Sequence, residues 1–340
     1  MDLIHAIRGM NDLLPAEAAR WQLVEETARS VLERYGYKEI RTPVVEETRL
    51  FQRSIGETTD IVEKEMYTFE DRKGKKLTLR PEGTAGVVRA VLEHNLFADD
   101  RAPKVYYLGS MFRYERPQKG RQRQFHQVNF EWLGDDLPEV DVEIIMFAGH
   151  LLYLLSGKKG CTLLINTLGD KESRVKYRDA LVDYLSPQAA NLSEDSKRRL
   201  VLNPLRILDS KDPRDQAITA NAPKITEYLS DASRQRFGAL CAILETMPFL
   251  QNWRIEPSLV RGLDYYTDIV FEFVGEGGEL GAQNTVLAGG RYDGLIGYSI
   301  DAYGVYSNHD NDYDEFIRLI KVTERDEQLI FSMESQKNSQ

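Results

Sequence analysis

The fold is decided by two strand-like segments, KVYYLGSMFRY (104–114) and QFHQVNFEWLG (124–134), which a short basic loop joins. Both are rich in aromatic and β-branched residues, and together they predict an antiparallel hairpin. From Arg113 to Arg123 the loop carries five cations against one acid, Glu115. Guanidinium groups bind phosphate oxygens bidentately, so the loop suits a polyphosphate or an RNA end, although a solvated charged turn is the commoner explanation of such a run.

The two strands combine a polar face with an apolar one. Side chains alternate along a strand, which separates a polar row on the second strand from an apolar row that we expect to face the core. The polar row is Phe125, Gln127, Asn129 and Glu131, and the apolar row is Val128, Phe130 and Trp132. The matching row on the first strand is Gly109, Met111, Arg113 and Glu115. Gly109 and Phe125 suit a ligand lying against the sheet. We therefore predict that this polar face is the floor of a binding site for a phosphate, a stacked base and an ammonium or imidazole N–H, rather than a face open to water.

The motif RPEGTAG (80–86) is predicted to be a strand-to-helix turn. Glu82 near the helix start either caps the helix by accepting its free N–H groups or accepts a substrate ammonium. In the second case Thr84 supplies a hydroxyl beside it. The motif alone does not distinguish the two.

Two later motifs also have ordinary structural explanations. In RGLDYYT (261–267), Arg261 and Tyr265 share one side of an extended segment, either as site residues or as a packed tyrosine pair beside a salt bridge. In LAGGRYDGLI (287–296), paired glycines permit close backbone approach to a ligand or a sharp bend. Each motif gains weight only in combination with the hairpin.

Strand and helix signals along the chain predict an α+β protein whose largely antiparallel sheet is flanked by helices. An amphipathic helix is predicted at 15–35, and Pro43 restricts the next extended segment to an edge or interface strand. Apolar spacing near residue 317 allows one further short helix. Four regions are predicted: a first core part (1–169), a charged, proline-broken helical insertion subdomain (170–250), a second core part (251–297), and an atypical acidic tail (298–340).

Composition excludes several classes of protein. The 340 residues include 44 basic and 54 acidic side chains, for a net charge of −10, so broad nonspecific RNA affinity is not expected. No apolar run approaches the roughly 18 residues that span a bilayer. The two cysteines, Cys161 and Cys241, and five scattered histidines support neither a disulfide framework nor a metal site. We expect a cytoplasmic enzyme or binding protein without a membrane partner.

Taken together, these blocks resemble the histidyl-tRNA synthetases, which are class II aminoacyl-tRNA synthetases, over roughly residues 4–297. The quoted blocks, with the segment around Pro43, are IRGMNDLLP (7–15), TLRPEGTAG (78–86), FRYERPQKGRQRQFHQ (112–127), LVRGLDYYT (259–267) and LAGGRYDGLI (287–296). The resemblance implies the class II antiparallel sheet with a helical insertion. It also implies histidine, ATP, Mg²⁺ and the acceptor end of tRNA(His) as substrates, cofactor and partner, with no metal held by the protein alone. The family's dimer interface matches helix 15–35 and the Pro43 segment, so a homodimer is expected.

The resemblance also assigns roles to individual residues. The catalytic residues would be Arg113 and Arg261, both at the α-phosphate. Histidine would be bound by Glu82, Gly83, Thr84, Arg113, Gln127, Glu131, Arg261, Tyr265 and Tyr266. ATP would be bound by Arg113, Glu115, Arg121, Arg123 and Phe125, with Glu115 at the adenine amino group and Phe125 stacked on the base.

Residues 298–340 do not resemble the family, whose third shared block and anticodon-binding domain are expected to be absent. The resemblance therefore implies a histidine–tRNA ligase catalytic core. A non-catalytic paralogue, such as the regulatory subunit of ATP phosphoribosyltransferase in histidine biosynthesis, is the alternative. An RNA-binding module that uses only the basic loop is a third hypothesis.

Overall fold

A computed structural model describes most of the chain up to Asp293 and one further strand. The described residues are 3–56, 59–98, 100–118, 120–134, 137–156, 161–247, 252–260, 263–275, 285–293 and 317–323. For 317–323 only the backbone pairing is described.

Helices and strands alternate irregularly along the chain. The α-helices are α1 Pro15–Arg34, α2 Thr48–Ile55, α3 Thr84–Glu93, α4 Pro138–Ser156, α5 Lys171–Leu185, α6 Glu194–Leu202, α7 Pro213–Thr219 and α8 Asp231–Glu245. The strands are β1 Lys38–Glu39, β2 Val45–Glu47, β3 Tyr67–Glu70, β4 Lys76–Leu79, β5 Lys104–Phe112, β6 Gln124–Leu133, β7 Cys161–Thr167, β8 Trp253–Ile255, β9 Thr267–Gly275, β10 Thr285–Arg291 and β11 Ile317–Thr323. A π-helical turn lies at Ile61–Glu65, and short 3₁₀ turns lie at Leu96–Ala98, Ser186–Asn191, Pro204–Ile207 and Ile225–Glu227.

The main sheet has eight strands in the order β1-β5-β6-β11-β10-β9-β7-β8. The β1–β5 and β7–β8 pairs are parallel, and the other pairs are antiparallel. A second, antiparallel sheet has the order β2-β4-β3. This confirms the predicted α+β fold with helices around a largely antiparallel sheet, and β1 is an edge strand as expected.

The predicted hairpin β5–β6 forms, with Gly109 opposite Gln127 and Tyr106 opposite Phe130. Its apolar face belongs to a core to which α1, α4 and α8 also contribute, and the rings of Phe130 and Phe147 meet edge to face at 4.2 Å between centroids. The opposite face is also buried, because α2, α3 and the tyrosines that precede and follow the later strands cover it. The polar row of β6 therefore lies inside the protein.

Neither α4 nor β7 is predicted from the sequence, and the reason is the same for both. The α4 sequence PEVDVEIIMFAGHLLYLLS is apolar on most of its circumference, and LLINT in β7 is apolar without alternation. A helix or strand that is covered on several sides has apolar residues on all of them. Its sequence then lacks the alternation of apolar and polar residues from which helix or strand spacing is recognised. Only their neighbours in the fold identify them.

The expected short helix near residue 317 is wrong within 317–323, where the chain forms strand β11. This strand pairs with β6 on one side and with β10 on the other. The backbone N–H and C=O groups along the facing edges of the buried strands β6 and β10 must be hydrogen-bonded. A segment rich in β-branched residues, such as IRLIKVT, suits the position between them. The rest of the predicted tail, including Tyr313 and Phe316, lies outside the described residues.

The helical segment after β7 has a small core of its own. Its buried members are Tyr177, Leu181, Leu185, Leu192, Ile207, Ile225 and Leu229. Asp215 lies buried at its polar centre and accepts hydrogen bonds from the Ser193 N–H at 2.8 Å and from the hydroxyls of Ser193, Ser196 and Ser210 at 2.7, 2.6 and 2.6 Å. Burial alone raises the pKa of Asp215, but these hydrogen bonds outweigh it and lower the pKa to about 2.

We predict that Asp215→Asn lowers the free energy of unfolding by about 2 kcal/mol at neutral pH, because an amide cannot accept all four bonds and leaves buried donors unpaired. The native pKa lies below the ordinary 3.8, so the ionised carboxylate stabilises the fold above that value. The advantage over the variant is lost as pH falls through about 2. Urea unfolding across pH tests this, with Asp183→Asn on the exposed side of α5 as control. Equal stability of both variants at neutral pH would contradict it.

Candidate functional site

A cavity of about 950 Å³ lies between the main sheet and the helical segment. The hairpin contributes Arg113, Arg121 and Gln127 to its wall. The helical segment contributes Lys211 and Lys224 among others. Cations thus lie on both sides of the cavity, whose wall also includes the acidic residues Asp209, Glu256 and Glu272. An anion placed between the cations is attracted by each of them.

The Arg113 side chain is held in place by its neighbours. Its Nε donates to the Pro81 carbonyl oxygen at 2.9 Å, and its guanidinium carbon lies 5.2 Å from the centroid of the Phe125 ring. Its Nη1 is 4.0 Å from a carboxylate oxygen of Glu115, and Arg121 reaches the other oxygen at 3.1 Å. Four residues predicted as an ATP site are therefore brought together by the hairpin.

Arg123 points elsewhere. Its guanidinium carbon stacks 4.0 Å from the Tyr114 ring centroid, and its Nε donates to the Glu115 carbonyl oxygen at 3.1 Å. The Gly9 carbonyl oxygen accepts from the Arg123 N–H at 2.7 Å and the Gln124 N–H at 3.0 Å. The segment around Gly9, to which sequence analysis assigns no separate role, thus fixes the end of the basic loop.

Glu82 is fully buried and is the cap that the simpler explanation predicts. Its two oxygens accept from the N–H groups of Thr84 and Ala85, each at 2.9 Å. The Tyr265 hydroxyl also donates to Glu82, at 3.5 Å. The capping carboxylate therefore faces the same interior space as the tyrosine, so the two explanations of Glu82 do not exclude each other.

Four tyrosines surround the polar row of β6. Tyr265 lies 4.9 Å from Tyr266 and 5.1 Å from Tyr292 between ring centroids. The Tyr292 hydroxyl donates to the fully buried carboxylate of Glu131. Burial, and then the charge of Glu131, raises the pKa of Tyr107 and Tyr292, while burial and Glu82 raise that of Tyr265. These hydroxyls stay protonated at neutral pH and can donate and accept hydrogen bonds.

Gln127 and Asn129 complete the buried row. The Asn129 side-chain amide donates to the Gln127 oxygen at 3.4 Å. Within the described part of the chain, the Gln127 Nε2 and the Asn129 Oδ1 have no hydrogen-bond partner although both are buried. An unpaired buried polar atom costs free energy, so both are suited to a polar ligand or water.

Tyr107 and Tyr292 are functional candidates that sequence analysis does not identify. Tyr292 follows the paired glycines, which are the one local signal for it. Those glycines are explained by close packing: a Cβ on Gly290 would lie 2.7 Å from the Ile269 carbonyl oxygen and 2.8 Å from the Tyr266 ring. Tyr107 gives no local signal, since it is one of two consecutive tyrosines in a buried strand.

One predicted site residue remains outside this geometry. Arg261, one of the two predicted catalytic residues, lies outside the described residues. Among the described residues no group of three His, Cys, Asp or Glu side chains could hold a metal ion alone. Across the same residues, no helix is both long and apolar enough to cross a membrane.

Comparison with known proteins gives consistent results. The family model described as histidyl-tRNA synthetase matches residues 9–304. The structure is similar to apo histidyl-tRNA synthetase of S. aureus, with TM-score 0.72 and 34% identity over 98% of this chain and 75% of that one.

Two more distant structures share the fold. One is an ATP phosphoribosyltransferase regulatory subunit/histidyl-tRNA synthetase from Bacillus halodurans C, with TM-score 0.65 and 21% identity over 98% of this chain and 84% of that one. The other is a histidine–tRNA ligase subunit from Alicyclobacillus acidocaldarius, with TM-score 0.62 and 19% identity over 99% of each chain. At these identities the likeness concerns the fold alone.

We predict that Gly83→Ala destabilises the protein by about 1–3 kcal/mol, because overpacking displaces a buried ring. A Cβ at this position would lie 2.0 Å from the Tyr107 ring. Gly238→Ala is the matched control, since nothing lies within 4 Å of its Cβ and α8 gains a better helix former. Thermal unfolding of both variants measures the difference, and an unchanged Gly83→Ala midpoint would show that the ring does not pack as described.

Proposed function

Because the chain belongs to the histidyl-tRNA synthetase family, we propose that it activates histidine with ATP and transfers it to the 3′ end of tRNA(His). The observation that carries the proposal is the adjacency of two unlike regions. A buried pocket of carboxylates and tyrosine hydroxyls adjoins a cavity lined by guanidinium groups. The first region suits a cationic amino acid, and the second suits a triphosphate.

The ATP site would be the cationic part of the hairpin. Arg113 would bind the α-phosphate, and the Pro81 carbonyl that orients it supports a fixed cation there. Glu115 would accept from the adenine amino group, and Phe125 would stack on the base. Arg121 would reach the outer phosphates or the tRNA acceptor end.

Arg123 is assigned differently from the other arginines. The resemblance to the family places it among the ATP-binding residues. Its stacking on Tyr114 and its bond to the Glu115 carbonyl support a role in shaping the loop. A phosphate contact would require Arg123 to leave both partners.

The histidine site would be the buried pocket. Glu131 with Tyr265 and Tyr266 would bind the imidazole nitrogens, and we add Tyr292 because its hydroxyl already orients Glu131. The ammonium group and backbone end of the amino acid would be bound by four other residues, namely Glu82, Gly83, Thr84 and Gln127. A site that hydrogen-bonds the polar group of its substrate rejects analogues lacking that group by about 10⁴–10⁵.

In the activation step a histidine carboxylate oxygen would attack the α-phosphorus of ATP. A new oxygen–phosphorus bond forms, the bond to the bridging oxygen breaks, and pyrophosphate leaves with the electron pair. Arg113 and Arg261 would oppose the negative charge that accumulates at the α-phosphate. Mg²⁺ would neutralise phosphate charge and would be held mainly by the ATP oxygens, since it needs only one or two protein carboxylates.

The organisation of the chain is also a proposal. We propose two core parts (1–169 and 251–297), the helical insertion (170–250) and an acidic C-terminal part (298–340), within which 317–323 adds β11 to the main sheet. The separate apolar core between Tyr177 and Leu229 supports the insertion. We further propose a cytoplasmic protein.

A second function is the non-catalytic regulation of an ATP phosphoribosyltransferase, which the shared fold with the Bacillus halodurans protein allows. A regulatory pocket needs histidine recognition but has no use for cations at an ATP α-phosphate. The orientation of Arg113 toward the cavity therefore favours the ligase.

We expect the purified chain to catalyse histidine-dependent exchange between ATP and pyrophosphate. Glu131→Gln should weaken histidine binding at least tenfold, because it removes a buried charge, with little change in ATP affinity. Isotope exchange and titration calorimetry measure the two effects, and Glu245→Gln at the exposed end of α8 is the control. If the wild-type chain binds histidine but catalyses no exchange, the regulatory function is favoured. If it neither binds histidine nor catalyses exchange, the proposal is rejected.

We propose a homodimer, and expect light scattering to give twice the monomer mass at micromolar concentration. Apolar side chains lie exposed before and at the start of α1: Leu3 is 80% exposed, Ile4 100%, Ile7 62% and Leu14 62%. Several exposed apolar residues in one region are typical of an interface. Replacing Ile4 and Ile7 by Asp should give monomers, whereas Val201→Asp on exposed α6 should not. A monomeric wild-type protein would refute the interface.

A further inference from the structure

The segment from Asp264 to Asp268 alternates between two sets of contacts. Tyr265 reaches inward to Glu82 at 3.5 Å, and the Thr267 hydroxyl donates to Asp293 at 2.5 Å. The remaining three residues, Asp264, Tyr266 and Asp268, each contact the helical insertion. Residues 264 and 265 form a turn, and Thr267 begins β9. The Tyr265 side chain can therefore serve the pocket while the Tyr266 backbone and the two neighbouring carboxylates are held by the insertion.

Each of the three outer contacts comes from a different helix of the insertion. Asn203, just after α6, donates to the Asp264 carboxylate at 2.9 Å. Arg174 of α5 donates to the Tyr266 carbonyl oxygen at 3.2 Å. The hydroxyl of Ser233 in α8 donates to the Asp268 carboxylate at 2.6 Å.

The conformation of the segment needs such support. Asp268 has φ +42°, a left-handed conformation that is uncommon for a residue other than glycine. Asp264 is pressed against the backbone of α2 and its C-terminus: its N–H donates to the Ile55 carbonyl at 3.1 Å, and a Cβ on Gly56 would lie 2.5 Å from its carboxylate. A strained, crowded segment keeps one geometry only when its surroundings define it.

We propose that the helical insertion positions the amino-acid pocket, with Arg174 and Asn203 as positioning residues that fix Tyr265 and Tyr266. The histidine affinity in this inference rests on the proposed function, whereas the ordering of residues 264–268 does not. The same insertion lines the cavity through Lys211 and Lys224.

The test compares Arg174→Met, which removes the donor, with Arg174→Lys, which retains one. Arg178→Met, one turn along α5 on its exposed side, is the matched control. Hydrogen–deuterium exchange of peptides covering 264–268 should accelerate in Arg174→Met and remain near wild type in the other two. Histidine should bind Arg174→Met about threefold to tenfold more weakly, the loss expected of one hydrogen bond, while ATP affinity changes less than twofold.

Asn203→Ala tests the inference from another helix, and should reproduce the faster exchange at 264–268 even where Arg174→Met fails to fold. Unchanged exchange in both variants overturns the inference, as do equal losses of histidine and ATP affinity. If the wild-type protein binds no histidine, the proposed function fails. Faster exchange in 264–268 would in that case still support the positioning role.

Discussion

Two carboxylates buried at the centre of the protein constrain the rest of the structure. Glu82 and Glu131 are fully buried, and a buried carboxylate costs several kcal/mol unless hydrogen bonds compensate it. Glu82 receives the first N–H groups of α3, and Glu131 receives the Tyr292 hydroxyl. The arrangement of α3 and of the segment after β10 therefore follows from the need to solvate these charges. The same compensation leaves a polar interior space that suits a small cationic ligand.

The close packing of this space depends on residues without side chains. Gly83 lets Tyr107 lie against the turn before α3, and Gly109 lets Arg80 cross β5, since a Cβ there would be 2.4 Å from its guanidinium. Arg80 in turn donates to the Ser110 carbonyl at 2.9 Å. Glycine thus appears where rings or guanidinium groups pass the backbone, and its conformational freedom is secondary at these positions.

The helical insertion is part of the site architecture. It forms one wall of the cavity and contacts the segment that carries Tyr265 and Tyr266. Its buried Asp215 accepts hydrogen bonds from the serines around it. A pocket built between two bodies gains affinity when both are held in the binding geometry, because less ordering is then required on binding.

The sequence by itself determined the features that depend on local period: α1, the hairpin with its polar and apolar rows, the turn with Glu82, and the α+β class. These follow from neighbours a few residues apart, so a single sequence contains their full signal. Tertiary structure alone decided that the polar row is buried, that Tyr107 and Tyr292 join it, and that 317–323 is a strand between β6 and β10. Those outcomes depend on contacts between residues far apart in the chain, such as Tyr292 with Glu131, and no local pattern encodes which distant groups will compensate a buried charge.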